Sequence, residues 1–172
     1  KIRLCVDLRD LNKNILVVQF PLPRINELLS CTKDVQWFST IDLKSAYHQV
    51  ELHPECRRYT GFITPFGCYQ FCRVPFGLAS AAAMFQRLMF QLFSKVKDVV
   101  FFQDDILIMG KSRSEHDETL HKVLCILKEN GLTAEKNKCK FAGNEVTYLG
   151  HIIDKDGIKP KTNLLHAIRD SP

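Results

Sequence analysis

The stretch VVFFQDDILIM, residues 99–109, sets two adjacent carboxylates, Asp104 and Asp105, between two runs of buried-core character. Desolvating one carboxylate is costly, and desolvating two that repel each other costs more. An acid pair in a turn is most often simply solvated there. The apolar flanks, however, read as two short buried strands of a hairpin with its turn at Gln103–Asp105. In a regular strand neighbouring side chains point to opposite faces, so both acids could not serve one site. At a hairpin turn that restriction relaxes and both can reach one sheet edge.

Working upstream, WFSTIDL (37–43) is a second apolar strand that finishes on an acid, Asp42. Read alone, Asp42 also suits an N-cap for the tight turn SAYHQV that follows. Three carboxylates converging at one sheet edge repel unless hard divalent cations neutralise them. Carboxylate oxygens suit Mg²⁺, usually held by one or two carboxylates with substrate phosphates. An aspartic-protease reading fails because no D-[ST]-G occurs. The six dispersed histidines and the cysteine spacing give no zinc pattern.

The remaining segments suggest the frame for these acids. KIRLCVDLR (1–9) alternates as a strand, and FPLPRINELL (20–29) is a proline-rich turn entering a short helix. Residues 53–77 hold two short strands broken at Pro65 and Gly67. From Ser80 the period becomes helical, with Ala81, Met84, Phe85, Leu88, Met89, Leu92 and Phe93 on one face and Gln86, Arg87 and Gln91 elsewhere. A second helix is expected with Ser114 as N-cap, Asp117 three residues on, a stripe of Leu120, Val123, Leu124 and Leu127, and Gly131 as its C′ stop. Short strands follow around Lys140–Phe141 and Val146–Leu149, then a hairpin with Asp156–Gly157 as its turn. KTNLLHAIRDSP begins a last helix. The plan is α+β: an antiparallel sheet with helices on one face.

Composition bounds the class. The chain has 172 residues, 45% hydrophobic and 25% charged, enough for one domain with a core, or one domain plus a small appendage. No apolar run reaches the roughly 18–20 residues that cross a bilayer, and no signal-peptide pattern opens the chain. The net charge of +5 suits a polyanionic partner without demanding one. The seven cysteines are scattered among apolar neighbours. Cys68 and Cys72 are separated by roughly 13 Å of strand, too far for a disulfide. Reduced, mostly buried thiols in an intracellular, non-secreted protein are expected. A cytoplasmic or nuclear compartment is expected.

Several segments agree, in order, with one family. RLCVDLRDLN, PLPRINELL, FSTIDLKSAYHQVEL, YTGFITPFGCYQFCRVPFGLASAAAMFQRLM, FFQDDILIM and YLGHIID together resemble the reverse transcriptase of gypsy-type LTR retrotransposons and retroviruses. The resemblance implies a fingers–palm fragment over 1–172: partial fingers at about 1–40 and 53–77, palm for most of the rest, and the start of a thumb at about 158–172. It implies RNA-directed DNA polymerase activity, a two-metal Mg²⁺ site with Mn²⁺ as substitute, and deoxynucleoside triphosphates with an RNA or DNA template and primer as partners. No membrane partner is implied. Connection, ribonuclease H and complete thumb segments would belong to a parent polyprotein.

Residue by residue, the resemblance makes Asp42, Asp104 and Asp105 the metal-binding acids, with the Leu43 carbonyl completing a coordination sphere. The N–H groups near Ser45 and Ala46 would meet the triphosphate, and Arg3 would pair with it. Tyr47 would crowd a ribose 2′-hydroxyl; Phe76, in VPFG, would line the nucleotide pocket; Gln103 would lie near the primer end. Lys138, in EKNKCKF, would protonate the leaving pyrophosphate, with Lys136 and Lys140 as neighbouring candidates. Tyr148, Leu149 and Gly150 would grip the primer. Two positions depart from the family pattern: Ala82 stands where a proline is usual, and Phe102 where tyrosine is commoner. Two other readings stay open at this point: a non-catalytic remnant that binds nucleic acid or protein, and a template-independent metal phosphohydrolase using the same acids.

Overall fold

The structure, a computed structural model, describes residues 5–22 and 34–160. The proline-rich segment 23–33, Arg3 and the final helix expected at 161–172 lie outside the described residues. The described parts fall into two compact units, one drawn from 5–22 and 45–88, the other from 34–44 and 89–160.

The second unit carries the opening hairpin. Strand β1 (Trp37–Asp42) pairs antiparallel with β5 (Asp105–Gly110) along its whole length, from Trp37 opposite Gly110 to Asp42 opposite Asp105. Strand β4 (Val99–Phe102) flanks β5, and β6 (Lys140–Gly143) flanks β1, giving the order β4-β5-β1-β6. The β5 sequence ILIM is buried at every position, as a central strand covered on both faces requires. A separate antiparallel sheet contains β7 (Glu145–Tyr148), β8 (His151–Asp154) and β9 (Gly157–Pro160). One core cluster joins the two sheets: Val35, Phe38, Val100, Leu107 and Met109 pack with Val146, Tyr148 and Ile153.

The first unit contains helix α1 (Arg9–Asn14), helix α2 (Pro54–Arg57) and the hairpin β2 (Phe62–Thr64)–β3 (Gly67–Tyr69), with the turn at Pro65–Phe66 that proline and glycine suggested. The strand expected over 1–9 is absent from its described part: residues 5–8 are irregular and Arg9 starts α1. The Asn12 side chain explains the preference, donating to the Gly77 carbonyl (2.8 Å) and accepting from the Ala79 N–H (2.9 Å). Helix α3 (Ala81–Phe93) forms where the periodicity placed it, burying Ala81, Phe85, Met89 and Phe93. Gln86 is buried as well, and Met84 is exposed.

Helix α4 (Arg113–Glu129) starts two residues earlier than Ser114 suggested. Ser112 is the N-cap: its hydroxyl accepts from the Glu115 N–H (3.2 Å), and the Glu115 carboxylate accepts from the Ser112 N–H (3.3 Å). This reciprocal box needs Glu or Gln at the third helical position, which Ser112 has and Ser114 lacks. Gly131 sits at C′ with φ +66, the left-handed geometry that stops the helix. The face toward the sheet is His116, Val123 and Leu127, while Leu124 is exposed. The expected turn at Asp156–Gly157 lies one residue earlier, at Lys155–Asp156, and Gly157 opens β9. The six described cysteines are free, and none is fully buried: Cys5, Cys56, Cys68 and Cys72 are exposed, Cys125 and Cys139 half-buried. That corrects the expectation of mostly buried thiols. Cys68, for one, lies on a short hairpin whose β3 residues are all exposed.

Candidate active site

The hydrogen-bond alternation of the β1–β5 ladder fixes the acids. Leu43 N–H donates to the Asp104 carbonyl (2.9 Å), while the Asp42 carbonyl accepts from Glu135 N–H (2.8 Å) on the opposite side of β1. The Asp42–Asp105 pair is therefore of the non-hydrogen-bonded kind, in which facing side chains approach most closely and on one face. Asp104 occupies the second position of the two-residue turn between β4 and β5. Gln103, the first, is held at φ +52, an unfavourable region for a residue with a side chain. Asp105 thus belongs to the strand rather than to the turn. Two strands that end on acids, placed antiparallel and in register, bring a carboxylate remote in sequence beside the adjacent pair.

Lys138 joins them. Residues 133–135 run beside the end of β1, with Lys44 N–H donating to the Thr133 carbonyl and Leu43 bridged to Ala134. The following 3-10 turn, Lys136–Lys138, sets the Lys138 ammonium on both Asp42 oxygens, at 3.0 and 2.8 Å. Of the three candidate lysines, Lys138 is the one with an ion pair to a candidate acid. Its hydrogen bond to Asp42, helped by the charges of Asp104 and Asp105, raises its pKa. Asp105 responds in the opposite sense to an ordinary carboxylate. Burial first, then the charges of Asp104 and Asp42, push it up to about 6, against the smaller pull of Lys138. Burial and the neighbouring acids together thus make one carboxyl hold its proton more tightly than an ordinary aspartic acid.

Among the described residues no three carboxylate, thiol or imidazole groups are gathered round one point ready to ligate an ion. The chemistry of the donor set nevertheless fits a divalent cation. All three side chains are hard oxygen donors, their mutual repulsion is expressed in Asp105, and Asp42 already attracts a cation, the Lys138 ammonium.

The other sequence candidates divide between the units. Leu43 is fully buried behind the acids. In the first unit Ser45 is exposed at φ +50, Ala46 is buried, and Tyr47 begins the 3-10 turn with it. Tyr47 meets Phe76 edge-on at 5.8 Å between centroids and Phe85 at 5.9 Å. This pairs two residues that lie 29 apart in sequence. Tyr148 is 2% exposed, and its hydroxyl donates to the main-chain carbonyl of Asp105 at 3.2 Å. Burial, with the Asp105 charge second, raises its pKa, so the hydroxyl keeps its proton. Leu149 and Gly150 form the two-residue turn between β7 and β8, both at positive φ.

One polar network escaped the sequence reading. Ser39 and His116 are both fully buried. Ser39 Oγ accepts from Ala142 N–H (2.9 Å) and meets His116 Nε2 at 2.8 Å; His116 Nδ1 meets Asp117 at 2.9 Å. Asp117 in turn takes Arg113 (2.7 Å), whose guanidinium lies over the Trp37 ring. The serine is walled in, so this array is a bolt between β1 and α4 rather than a hydrolytic triad. Its signal was the alternation of β1, which puts polar Ser39 on the same face as Trp37 and Ile41.

Residues 1–153 match the family described as reverse transcriptase (RNA-dependent DNA polymerase). The retrovirus-related Pol polyprotein from transposon 297 of Drosophila melanogaster is 36% identical over 174 aligned residues, covering 100% of the chain and 16% of that polyprotein. The corresponding polyprotein from transposon 412 is 37% identical, covering 100% and 14%. The chain therefore spans about a sixth of the length of these curated relatives. Among solved structures, the foamy viral protease-reverse transcriptase in complex with an RNA/DNA hybrid superposes with TM-score 0.86 at 26% identity, over 96% of the chain and 23% of that protein. A form of it in complex with double-stranded DNA gives 0.92 at 24% identity over 99% and 30%, a likeness of fold.

Proposed function

The chain belongs to the reverse transcriptase (RNA-dependent DNA polymerase) family, and on that premise we propose that it is the catalytic portion of a polymerase that adds deoxynucleotides to a primer 3′-hydroxyl under the direction of an RNA or DNA template. The observation that carries this reading is the in-register pairing of Asp42 with Asp105, with Asp104 in the adjoining turn. Asp42, Asp104 and Asp105 would hold two Mg²⁺ ions, with Mn²⁺ as substitute, and the Leu43 carbonyl would add an oxygen. When bound, these ions neutralise phosphoryl charge and lower the pKa of the attacking hydroxyl.

The protein's own groups supply placement and protons. The β1–β5 ladder holds Asp42 and Asp105 on one face, so little reorganisation is needed when charge develops. Lys138 balances Asp42 in the resting site. Turned toward the departing pyrophosphate, the same ammonium donates a proton to it. Tyr47, braced by Phe76 and Phe85, bears on the nucleotide sugar and discriminates against a 2′-hydroxyl. The N–H groups at Ser45 and Ala46, and Arg3, take the triphosphate; Gln103 lies at the primer end. The template-primer is held through its phosphates and shape rather than its base sequence. The foamy viral relative's complexes with an RNA/DNA hybrid and with double-stranded DNA support a nucleic-acid partner of this kind.

Primer extension with Mg²⁺, using a polypeptide that includes this chain and the flanking segments of its parent, tests the reading. Extension by the parent sequence and none by Asp104→Asn are expected; extension that survives the substitution rules the mechanism out. Salt-sensitive duplex binding without extension supports the non-catalytic alternative. Phosphate release from small esters without template supports the hydrolase.

A further inference from the structure

Tyr148 stands at the end of β7, where the family resemblance assigns primer contact. Its ring, however, is sealed in the core cluster with Val146, Ile153, Phe38 and Leu107. A ring in that position offers a primer nothing, and its one polar atom is already directed inward, at 3.2 Å from the Asp105 carbonyl oxygen. Asp105 sits where β5 leaves the turn, at the end of its pairing with β4 and β1. The hydroxyl reaches it from the other sheet.

The segment holding Tyr148 is itself braced. Tyr148 pairs with His151 across a two-residue turn in which Leu149 has φ +46 and Gly150 φ +79. Both central residues of such a turn need positive φ, which glycine accepts and leucine resists because its Cβ crowds the following carbonyl. The strain is offset by Leu149 packing against the core cluster and by its carbonyl meeting His151 Nδ1 at 3.0 Å. The turn therefore holds Tyr148 at the strand end in one orientation.

We infer that Tyr148 is a positioning residue: its buried hydroxyl pins the main chain of Asp105 to the β7–β8 hairpin and so fixes the direction of that carboxylate. A displacement of the Leu149–Gly150 turn is thereby carried to the acid site through one hydrogen bond. The inference deepens the proposed function, since the value of a fixed Asp105 rests on its holding a metal.

The test uses the 172-residue chain with Mn²⁺ alone as probe. Tyr148→Phe removes the hydroxyl and keeps the ring. Ile153→Val trims the same cluster without touching Asp105. Free Mn²⁺ is read by electron paramagnetic resonance, and amide hydrogen exchange is read at Leu43, whose N–H ends on the Asp104 carbonyl. Tyr148→Phe is expected to weaken Mn²⁺ binding about 3–10-fold and to speed Leu43 exchange by a similar factor. Ile153→Val should lower the melting temperature while leaving both readings as in the parent. Parent-like binding and exchange in Tyr148→Phe, or equal losses in Ile153→Val, overturns the role. If the parent chain binds no Mn²⁺, the metal reading fails by itself, and the exchange rates alone decide the strut: faster exchange in Tyr148→Phe only sustains it, and equal rates refute it.

Discussion

Asp105→Asn should make the metal-free protein more stable. The Asp105 carboxyl is raised from 3.8 to about 6 by burial and by its acidic neighbours. Between those two values the folded state keeps a proton that the unfolded state has released. Stability therefore falls as pH rises from about 4 to about 6, and the whole cost is present above the folded value. A shift of about two units corresponds to roughly 3 kcal/mol if fully felt. The side chain is only about half-buried, so solvent screening brings the expected cost to about 1–1.5 kcal/mol. Asparagine keeps the shape and loses the charge. At pH 7.5 in a chelator, urea unfolding of the variant should give a ΔG larger by that amount, equivalent to about 3–5 °C in melting temperature. At pH 4 the gain should vanish. Added Mg²⁺ should reverse the order under the proposed metal site, since the variant lacks one of its three carboxylates. A variant no more stable at pH 7.5, or equally stabilised at pH 4, would refute the claim that the acids are held in mutual repulsion.

Lys138→Met removes the cation competing for Asp42, an exposed pair worth about 0.5–1 kcal/mol. Mn²⁺ affinity should tighten about 2–5-fold by titration, although primer extension in the longer polypeptide should slow. Ser39→Ala leaves the Ala142 N–H and the buried His116 imidazole without their partner and should cost about 2–4 kcal/mol in urea unfolding; a loss under 0.5 kcal/mol contradicts the bolt between β1 and α4. Gly110→Ala places a Cβ 2.6 Å from His116 Cβ and 2.7 Å from its Cα. Neither the strand nor the helix can yield cheaply, so destabilisation above about 2 kcal/mol is expected, read by thermal melting.

What was legible in the sequence follows from which forces act locally. The periodicity of 81–93 and the apolar run of 37–43 report burial directly, and a helix and a strand formed there. The turn before Asp105 was legible to within one residue, because an acid pair between apolar runs has few placements. The β1–β5 register was not legible, since it depends on which strand becomes the neighbour of which. It is the register that sets Asp42 opposite Asp105. The N-cap was misplaced because two serines compete, and Glu115 decides between them only once its carboxylate folds back. The described end of the N-terminal strand was misread because the alternation in KIRLCVDLR is short, and Asn12 finds its partners 65 and 67 residues away. Tyr148 was assigned to the primer by analogy of motif; its burial where two sheets pack could not be read from its own segment.

The claim on which the account rests is that Asp42, Asp104 and Asp105 form one cation site. Titrating the ¹⁵N-labelled chain with Mn²⁺ measures this directly, because paramagnetic broadening marks the amides near the ion. Broadening is expected to begin at Asp42, Leu43, Asp104 and Asp105 and to disappear in Asp104→Asn. Broadening centred elsewhere, or unchanged by that substitution, would contradict it.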